Sequence, residues 1–276
     1  MNYTPQLLEV LAQSAEYREL FLAPYAVPAL RRPGDLRPVA DQPMSDRDIQ
    51  DTLVALRAQA GGSSATLGKE GSFSFGLSGV GRFRVWYLTQ RGSYIVAIFK
   101  IPLEVPSLET LLETPDAARQ AVARFEGCRR GLLIVTGNAA LDANLVVYAL
   151  LRHVSERLPR VMFLVETSTM FLLKHGRSIV VQCELGTDVA GMDQAVRTAF
   201  QVGADLLFVR DVSAPAECEL VWRAAQMGLF VVITMSSLDL EDYGPFHDRA
   251  ATGGLVRGIW RAERRDNGRL ALAFQS

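Results

Sequence analysis

Residues 130–151, RGLLIVTGNAALDANLVVYALL, decide the fold of the second half of the chain. They begin with the continuous apolar stretch 132–136, bounded by Gly131 and Gly137, which is typical of a strand buried on both faces. A helix is then predicted over about 142–156. Apolar strands are predicted at about 161–165, 178–183, 206–209 and 229–234, with further helices at about 107–113, 115–127, 189–201 and 215–227. This alternation indicates an α/β fold with a mostly parallel sheet covered by helices on both faces.

The two ends of the chain have a different pattern. Residues 255–263 and 269–274 flank Asp266-Asn267-Gly268, and Asn-Gly between two strand-like runs predicts a C-terminal β-hairpin. Residues 1–102 indicate α+β structure, with a helix at about 45–60 after the capping residue Ser45 and strands at 72–77, 82–89 and 94–100. The stretch IPLEVP, 101–106, is punctuated by prolines. We therefore predict a domain at 1–102, a linker at 103–106 and a second domain at 107–276.

Composition excludes several classes of protein. The chain has 276 residues, 49% of them hydrophobic, and a formal net charge of -1, so bulk charge does not direct it to nucleic acid or anionic lipid. Its three cysteines form no CxxC pair and its three histidines have no metal-ligand spacing, so no zinc site, other metal site or disulfide framework is expected. No apolar run is long enough to span a membrane and the N-terminus lacks a secretory signal pattern, which predicts a cytoplasmic protein.

Five strings, in order, resemble the type IV pilus retraction ATPases, the PilT-like branch of the secretion ATPase superfamily. They are residues 19–39, 81–102, 130–138 (RGLLIVTGN), 195–217 and 224–237 (AAQMGLFVVITMSS). The resemblance implies a PAS-like N-terminal domain followed by a RecA-like core of the phosphate-loop type. It also implies a place at the inner-membrane base of a pilus. The family's C-terminal helical region would follow Ser276 and is not in the sequence, so we expect a shortened member.

The phosphate loop of that family is altered here. A working loop reads G-x-x-x-x-G-K-[ST], where the lysine neutralises phosphate oxygens and the hydroxyl holds Mg²⁺. The aligned residues retain Gly137, continue with Asn138, and have Asp142, Ala143 and Asn144 where the second glycine, the lysine and the hydroxyl stand. We expect Asp142 to be the N-cap of the following helix. The chain has only three lysines, but a bias toward arginine does not explain an alanine at this position.

The other sequence motifs of the family retain fewer of their characteristic residues here. The acidic box keeps only Glu166, which either positions water or, as the simpler expectation, faces solvent. The resemblance expects Gly-Glu where this chain has Arg210 and Asp211, and an ion pair between these neighbours would occupy the acid. Ser236 stands where the family has its histidine. No residue is therefore assigned a catalytic role, and binding of ATP and Mg²⁺ is expected to be lost.

Three arginines of the N-terminal region, Arg82, Arg84 and Arg91, match a set that reaches toward nucleotide across a subunit boundary in the family. Arg82 and Arg84 are two residues apart on a predicted strand, so they share one face. They have either kept a subunit contact or form a solvated edge that discourages strand aggregation. Both readings stay open at this stage.

These residues predict a non-hydrolysing PilT-like subunit, a pseudo-ATPase, of a type IV pilus or type II secretion motor. Its expected partners are proteins: a motor ATPase, a platform protein or a regulator, in a homo- or hetero-oligomer. The alternative is an ATPase of the pilus retraction (twitching motility) system that binds nucleotide weakly or unconventionally and reacts through Glu166 or Asp211. A third reading is a structural module that alternates with an active homologue.

Overall fold

The computed structural model describes residues 4–14, 19–32, 34–60, 67–101, 104–137, 140–236, 240 and 254–275. The predicted site residue Asn138 and residue 103 of the predicted linker lie outside this set. The chain divides into two compact units. The first comprises Met1–Leu103 with Ser168–Met170, and the second comprises Glu104–Thr167 with Phe171–Ser276. No helix in the part of the chain that is described is both long and apolar enough to cross a membrane.

The first unit is built on a six-stranded antiparallel sheet in the order β3-β2-β1-β6-β5-β4. Its α2 begins after Ser45, whose Oγ accepts from the Asp48 N–H while the Asp48 carboxylate accepts from the Ser45 N–H. Phe83 and Val85 alternate along β5 and are fully buried. The elements are α1 Thr4–Gln13, β1 Glu19–Leu22, β2 Ala29–Arg32, β3 Asp35–Pro38, α2 Asp46–Gln59, β4 Glu70–Leu77, β5 Gly81–Gln90 and β6 Ser93–Ile101.

The second unit has a seven-stranded sheet in the order β13-β12-β7-β11-β10-β8-β9, in which every pair except β12–β13 is parallel. Its strands are β7 Gly131–Gly137, β8 Val161–Glu166, β9 Ile179–Glu184, β10 Leu206–Val209, β11 Phe230–Ser236, β12 Val256–Arg264 and β13 Leu270–Gln275. Its helices are α3 Leu108–Leu111, α4 Pro115–Gly127, α5 Ala140–Arg157, α6 Met192–Gln201 and α7 Pro215–Gln226. The predicted fold class and C-terminal hairpin are confirmed.

Helices cover both faces of this sheet because consecutive strand residues point to opposite sides. Phe208 meets Tyr148 of α5, with their ring centroids 5.7 Å apart. Its neighbours Leu207 and Val209 belong to the buried cluster that α6 and α7 complete. Every residue of β7 and β10 is buried, as continuous apolar runs in a covered parallel sheet predict.

The parallel pairing of β12 with β7 brings the C-terminal hairpin to the start of α5. The register places Ala262 beside Gly137, so Arg264 lies just past the end of β7. The hairpin turns at Gly268, whose φ of +77° lies in the left-handed region and whose N–H donates to the Arg265 carbonyl over 2.8 Å. The hairpin thus supplies a side chain to the end of the sheet where functional residues are expected.

Gly131 allows β7 to enter this pairing. Its φ is +97°, and a Cβ at this position would collide with the Leu255 carbonyl oxygen and lie 2.8 Å from Nε of Arg257. The side chain of any other residue would collide with the chain that leads into β12. The conformation and the space at this one position therefore both require glycine.

Gly131→Ala is expected to lower the free energy of unfolding of the second unit by about 2–4 kcal/mol, because backbone strain and overpacking add. Chemical denaturation followed by circular dichroism measures the change. Gly127→Ala is the matched control, since a Cβ there meets no atom within 4 Å. It should leave stability within about 1 kcal/mol of the parent or raise it. Equal effects of the two variants would contradict the proposed constraint.

Candidate functional site

The carboxyl ends of the central parallel strands bring together most of the predicted site residues. Gly137 ends β7 and is the register neighbour of Ser236 at the end of β11. Glu166 ends β8, and Asp211 follows two residues after the end of β10. In open α/β sheets this edge is where ligands bind. The structure therefore groups the positions that the sequence assigned to an altered nucleotide site.

Asp142 is an internal residue of α5. The helix begins at Ala140, so the expectation that Asp142 is the N-cap is wrong. Its buried carboxylate instead accepts hydrogen bonds from Arg264, through Nε over 3.0 Å and through Nη2. Nη1 of the same arginine donates to the Gly268 carbonyl over 2.8 Å, which fixes the guanidinium on the hairpin. A negative charge with its own counter-ion is thus held in the first turn, beside the positive end of the helix dipole.

The next two residues turn away from solvent. Ala143 is fully buried and Asn144 is 2% exposed. The amide of Asn144 donates from Nδ2 to Oδ1 of Asp211 over 2.9 Å. Its Oδ1 is buried and has no hydrogen-bond partner among the residues that the structure describes. The position that holds a hydroxyl in a working phosphate loop is therefore used here to bind a neighbouring carboxylate.

Asp211 is held by hydrogen bonds with Asn144, Thr234 and Arg210. Its φ of +56° is uncommon outside glycine, although aspartate tolerates it better than most residues. The Asp211 N–H donates to Thr234 Oγ1 over 2.9 Å, and Nη1 of Arg210 donates to Oδ2 over 2.8 Å. The ion pair expected between these adjacent residues is confirmed, and it engages the Asp211 carboxylate.

Glu166 lies in the core and not in solvent, so the simpler expectation for it is wrong. Its side chain is 1% exposed, and Oε2 accepts from Nε of Arg210 over 3.1 Å and from the hydroxyl of Tyr148. Gln182 on β9 donates from Nε2 to Oε1 over 3.3 Å. Burial of a charged carboxylate is costly unless it is paired and hydrogen-bonded, and these donors meet that requirement.

Tyr148 responds to the same environment. Burial, followed by the Glu166 charge and the hydrogen bond to it, raises the pKa of the Tyr148 hydroxyl well above its usual value of 10.0. The hydroxyl is therefore a proton donor at all ordinary pH values. It fixes the carboxylate from α5 while Arg210 fixes it from the strand edge. The chain Asn144–Asp211–Arg210–Glu166–Tyr148 is thus continuous in hydrogen bonds.

The three N-terminal arginines are not brought to one place. Arg82 and Arg84 share a face of β5 opposite the buried Phe83, whereas Arg91 lies beyond the far end of that strand in a turn with φ of +53°. Arg84 lies 4.8 Å above the Phe99 ring and donates to the Ser168 hydroxyl over 2.9 Å within the same unit. A role for these arginines in subunit contact stays a prediction.

Sequence reasoning missed Arg264, Tyr148 and Gln182. Arg264 joins the site only through the register of β12 against β7, which no local pattern reveals. Tyr148 lies six residues after Asp142 on α5, among apolar neighbours that indicate core. The available signal was the tyrosine itself, because a tyrosine hydroxyl buried among apolar residues usually needs a hydrogen-bond partner. No group of three or more histidine, cysteine or acidic residues in the described chain has metal-binding geometry.

Arg210→Met is expected to lower the free energy of unfolding by about 3–5 kcal/mol, because it leaves the Glu166 carboxylate buried without its counter-ion. Arg223→Met is the matched control on the same unit. Arg223 pairs with Glu219 at 3.0 Å but its side chain is 67% exposed, so the loss should be below about 0.5 kcal/mol. Denaturant titrations of both variants compare the two sites. A loss at Arg210 no larger than that at Arg223 would rule out the structural role of the buried pair.

Several known proteins are similar to this chain in sequence. No family model matches the chain. It is 24% identical over 231 residues to the type IV pilus retraction ATPase PilT of Pseudomonas aeruginosa, and 21% identical over 217 residues to the type IV pilus ATPase PilU of the same organism. It is 26% identical over 213 residues to a twitching motility protein of Neisseria gonorrhoeae. These matches cover 83%, 79% and 76% of this chain but only 66%, 56% and 55% of the relatives.

Solved structures agree at the level of the fold. A crystal structure of the pilus retraction motor PilT with bound ADP matches with a TM-score of 0.79 and 23% identity, covering 97% of this chain and 81% of that one. The ATPase DotB of Legionella pneumophila matches with a TM-score of 0.76 and 16% identity, covering 97% and 78%. The resemblance that the five sequence strings predicted is confirmed: the chain is similar in sequence and in fold to PilT-like type IV pilus ATPases.

Proposed function

We propose that this chain is a catalytically inactive PilT-like subunit, which acts through protein contacts in a type IV pilus or type II secretion motor. One observation carries the proposal. The first turn of α5 holds Asp142, whose carboxylate is engaged by Arg264, at the place where a phosphate loop presents glycine and lysine. The fold of the relatives is retained, while the groups that would bind phosphate are replaced by an internal ion pair.

Electrostatics of the site support the loss of nucleotide binding. Phosphoryl transfer depends on positive charge placed around the terminal phosphates. Here three carboxylates, on Asp142, Asp211 and Glu166, accompany two guanidinium groups, on Arg210 and Arg264, and all five are paired with one another. With three negative and two positive groups, these five side chains together carry one net negative charge. The loop also lacks the lysine that contacts phosphate and the hydroxyl that holds Mg²⁺. The residues present therefore do not fit a magnesium nucleotide.

An accessory role follows from what has been retained. The two units keep closed, well-packed cores although the phosphate chemistry is gone. The proposed partners are a PilT-like motor ATPase, a platform protein or a regulator. The proposed location is the cytoplasmic side of the pilus base at the inner membrane.

A second candidate is an ATPase that binds nucleotide weakly by an unconventional arrangement. Two observations favour it: the Asp211 side chain is 36% exposed, and Oδ1 of Asn144 is buried with no hydrogen-bond partner among the described residues. An accessible carboxylate beside an unsatisfied acceptor is a place where a bound water or a ligand donor fits. Turnover that disappears in Asp211→Ala would favour this candidate.

Isothermal titration of the full chain with MgATP and MgADP is expected to show no binding, and phosphate release should equal that of buffer. Asp142→Asn should admit weak binding of nucleotide, because it frees the Arg264 guanidinium to contact phosphate. Asp116→Asn is the matched control. This acid also lies in the first turn of a helix and pairs with Arg119, but its helix is α4 and not α5. It should leave the titration unchanged. Micromolar binding with turnover in the parent chain would overturn the proposal.

Co-expression with a PilT-like motor ATPase tests the accessory role directly. We expect the two chains to elute together in size-exclusion chromatography with light scattering, and nucleotide to be found only in proportion to the motor chain. A variant of the motor that lacks the lysine of its phosphate loop should still retain this chain, since the proposed contact does not require hydrolysis. Separate elution at every concentration, with no effect of this chain on motor turnover, would contradict an accessory role in that motor.

A further inference from the structure

The strand β4 forms an open edge of the first unit. It is last in the order of the six-stranded sheet, and no described strand pairs with its outer side. It spans eight residues, Glu70–Leu77, whereas strands are usually about 5–6 residues long. Ser72 and Gly76 are exposed. A long edge strand presents a row of backbone groups that a further strand can bind.

The backbone groups that face outward follow from the hydrogen-bond pattern. The Thr89 N–H donates to the Lys69 carbonyl over 2.6 Å, and the register continues as Glu70 opposite Leu88. In an antiparallel pair, residues alternate between those that bond their partner and those that do not. The alternate set turns its N–H and C=O groups away from β5. The outward-facing residues are Glu70, Ser72, Ser74 and Gly76.

The usual protection of an edge strand is missing from most of β4. Charged side chains, prolines and bulges prevent unwanted pairing at sheet edges. The opposite edge, β3, is four residues long and contains Asp35, Arg37 and Pro38. By contrast, residues 71–77 of β4 include no charge and no proline, and the β4–β5 pairing shows no shift of register. The β3 edge of this sheet is thus protected against pairing with a further strand, whereas the described β4 edge is not.

Positive charge flanks the open edge on both faces of the sheet. On the face covered by α2, the Arg57 guanidinium lies 5.1 Å from the centroid of the Phe73 ring. On the other face Arg82 is the register neighbour of Gly76, and its Nε is buried with no hydrogen-bond partner among the described residues. At the start of the strand, Lys69 and Glu70 offset each other. The edge therefore favours a strand that carries acidic side chains.

From this geometry we infer that β4 docks an extended, acidic peptide segment of a partner protein by strand addition. Main-chain hydrogen bonds to Ser72 and Ser74 supply affinity, while acidic side chains on the two faces of the bound strand meet Arg57 on one side and Arg82 on the other. A second copy fits less well, because two β4 edges side by side would bring their arginines together. The inference does not rest on the loss of nucleotide binding, since the edge belongs to the first unit.

Fluorescence polarisation with the labelled peptide Val-Glu-Glu-Val-Glu-Glu-Val, which places glutamates on both faces of an extended strand, tests the inference on the full chain. The peptide should bind more tightly than its valine–lysine counterpart, and added salt should weaken it. Ser72→Pro removes an outward N–H without touching the β4–β5 ladder, so it should weaken binding by about tenfold or more. Ser78→Pro, in the exposed turn of the same hairpin, should leave binding unchanged.

A second measurement keeps the test decisive if Ser72→Pro fails to fold. Arg57→Met should reduce the preference for the glutamate peptide over the lysine peptide, and hydrogen exchange at the β4 amides should slow on binding in the parent chain only. Equal affinity for the two peptides, or no saturable binding, would overturn the inference. So would a dimer in light scattering that Ser72→Pro dissociates, because the occupant would then be a second copy.

Discussion

The buried carboxylate of Glu166 is the constraint on which the second unit depends. A carboxylate that is 1% exposed must find donors within the protein, and it finds them on three elements: Tyr148 on α5, Gln182 on β9 and Arg210 after β10. Each donor fixes the position of its element against the end of β8. Arg210 then has a second hydrogen-bonding edge to satisfy, and Asp211 accepts from it. The arrangement of the whole strand edge follows from the cost of one buried charge.

The start of α5 obeys the same rule through a different pair. A helix N-terminus attracts negative charge, and in relatives of this fold a phosphate is the expected anion. In this chain Asp142 supplies the anion from within the helix, and Arg264 reaches it from the hairpin. The favourable interaction of an anion with the helix is thus obtained without any ligand. The change from glycine and lysine to aspartate and alanine is coherent in physical terms, because a charge at 142 needs a counter-ion and the hairpin supplies one.

Sequence alone predicted the layers and the strand ends, because apolar runs and turn residues act locally. The parallel sheet, the helices that cover it and the Asn-Gly hairpin all come from such patterns. The partners of the polar residues depend on register and burial, which are set by tertiary packing. Thus the sequence predicts a cap at Asp142 although its carboxylate pairs with Arg264 of the hairpin, and it predicts exposure of Glu166 although this residue lies in the core. Only Arg210 with Asp211, which are adjacent in sequence, could be paired in advance.

A site that binds a nucleotide leaves polar groups unsatisfied until the ligand arrives, because its donors and acceptors must be available for phosphate and metal. In this chain the carboxylates and guanidinium groups at the strand ends satisfy one another. Among the described site residues, the amide oxygen of Asn144 is a buried acceptor that finds no partner. The fold of this unit therefore gains its polar complementarity from its own side chains. Internal pairing of this kind, more than the identity of any single motif residue, determines how many polar groups at the strand ends remain available to a ligand.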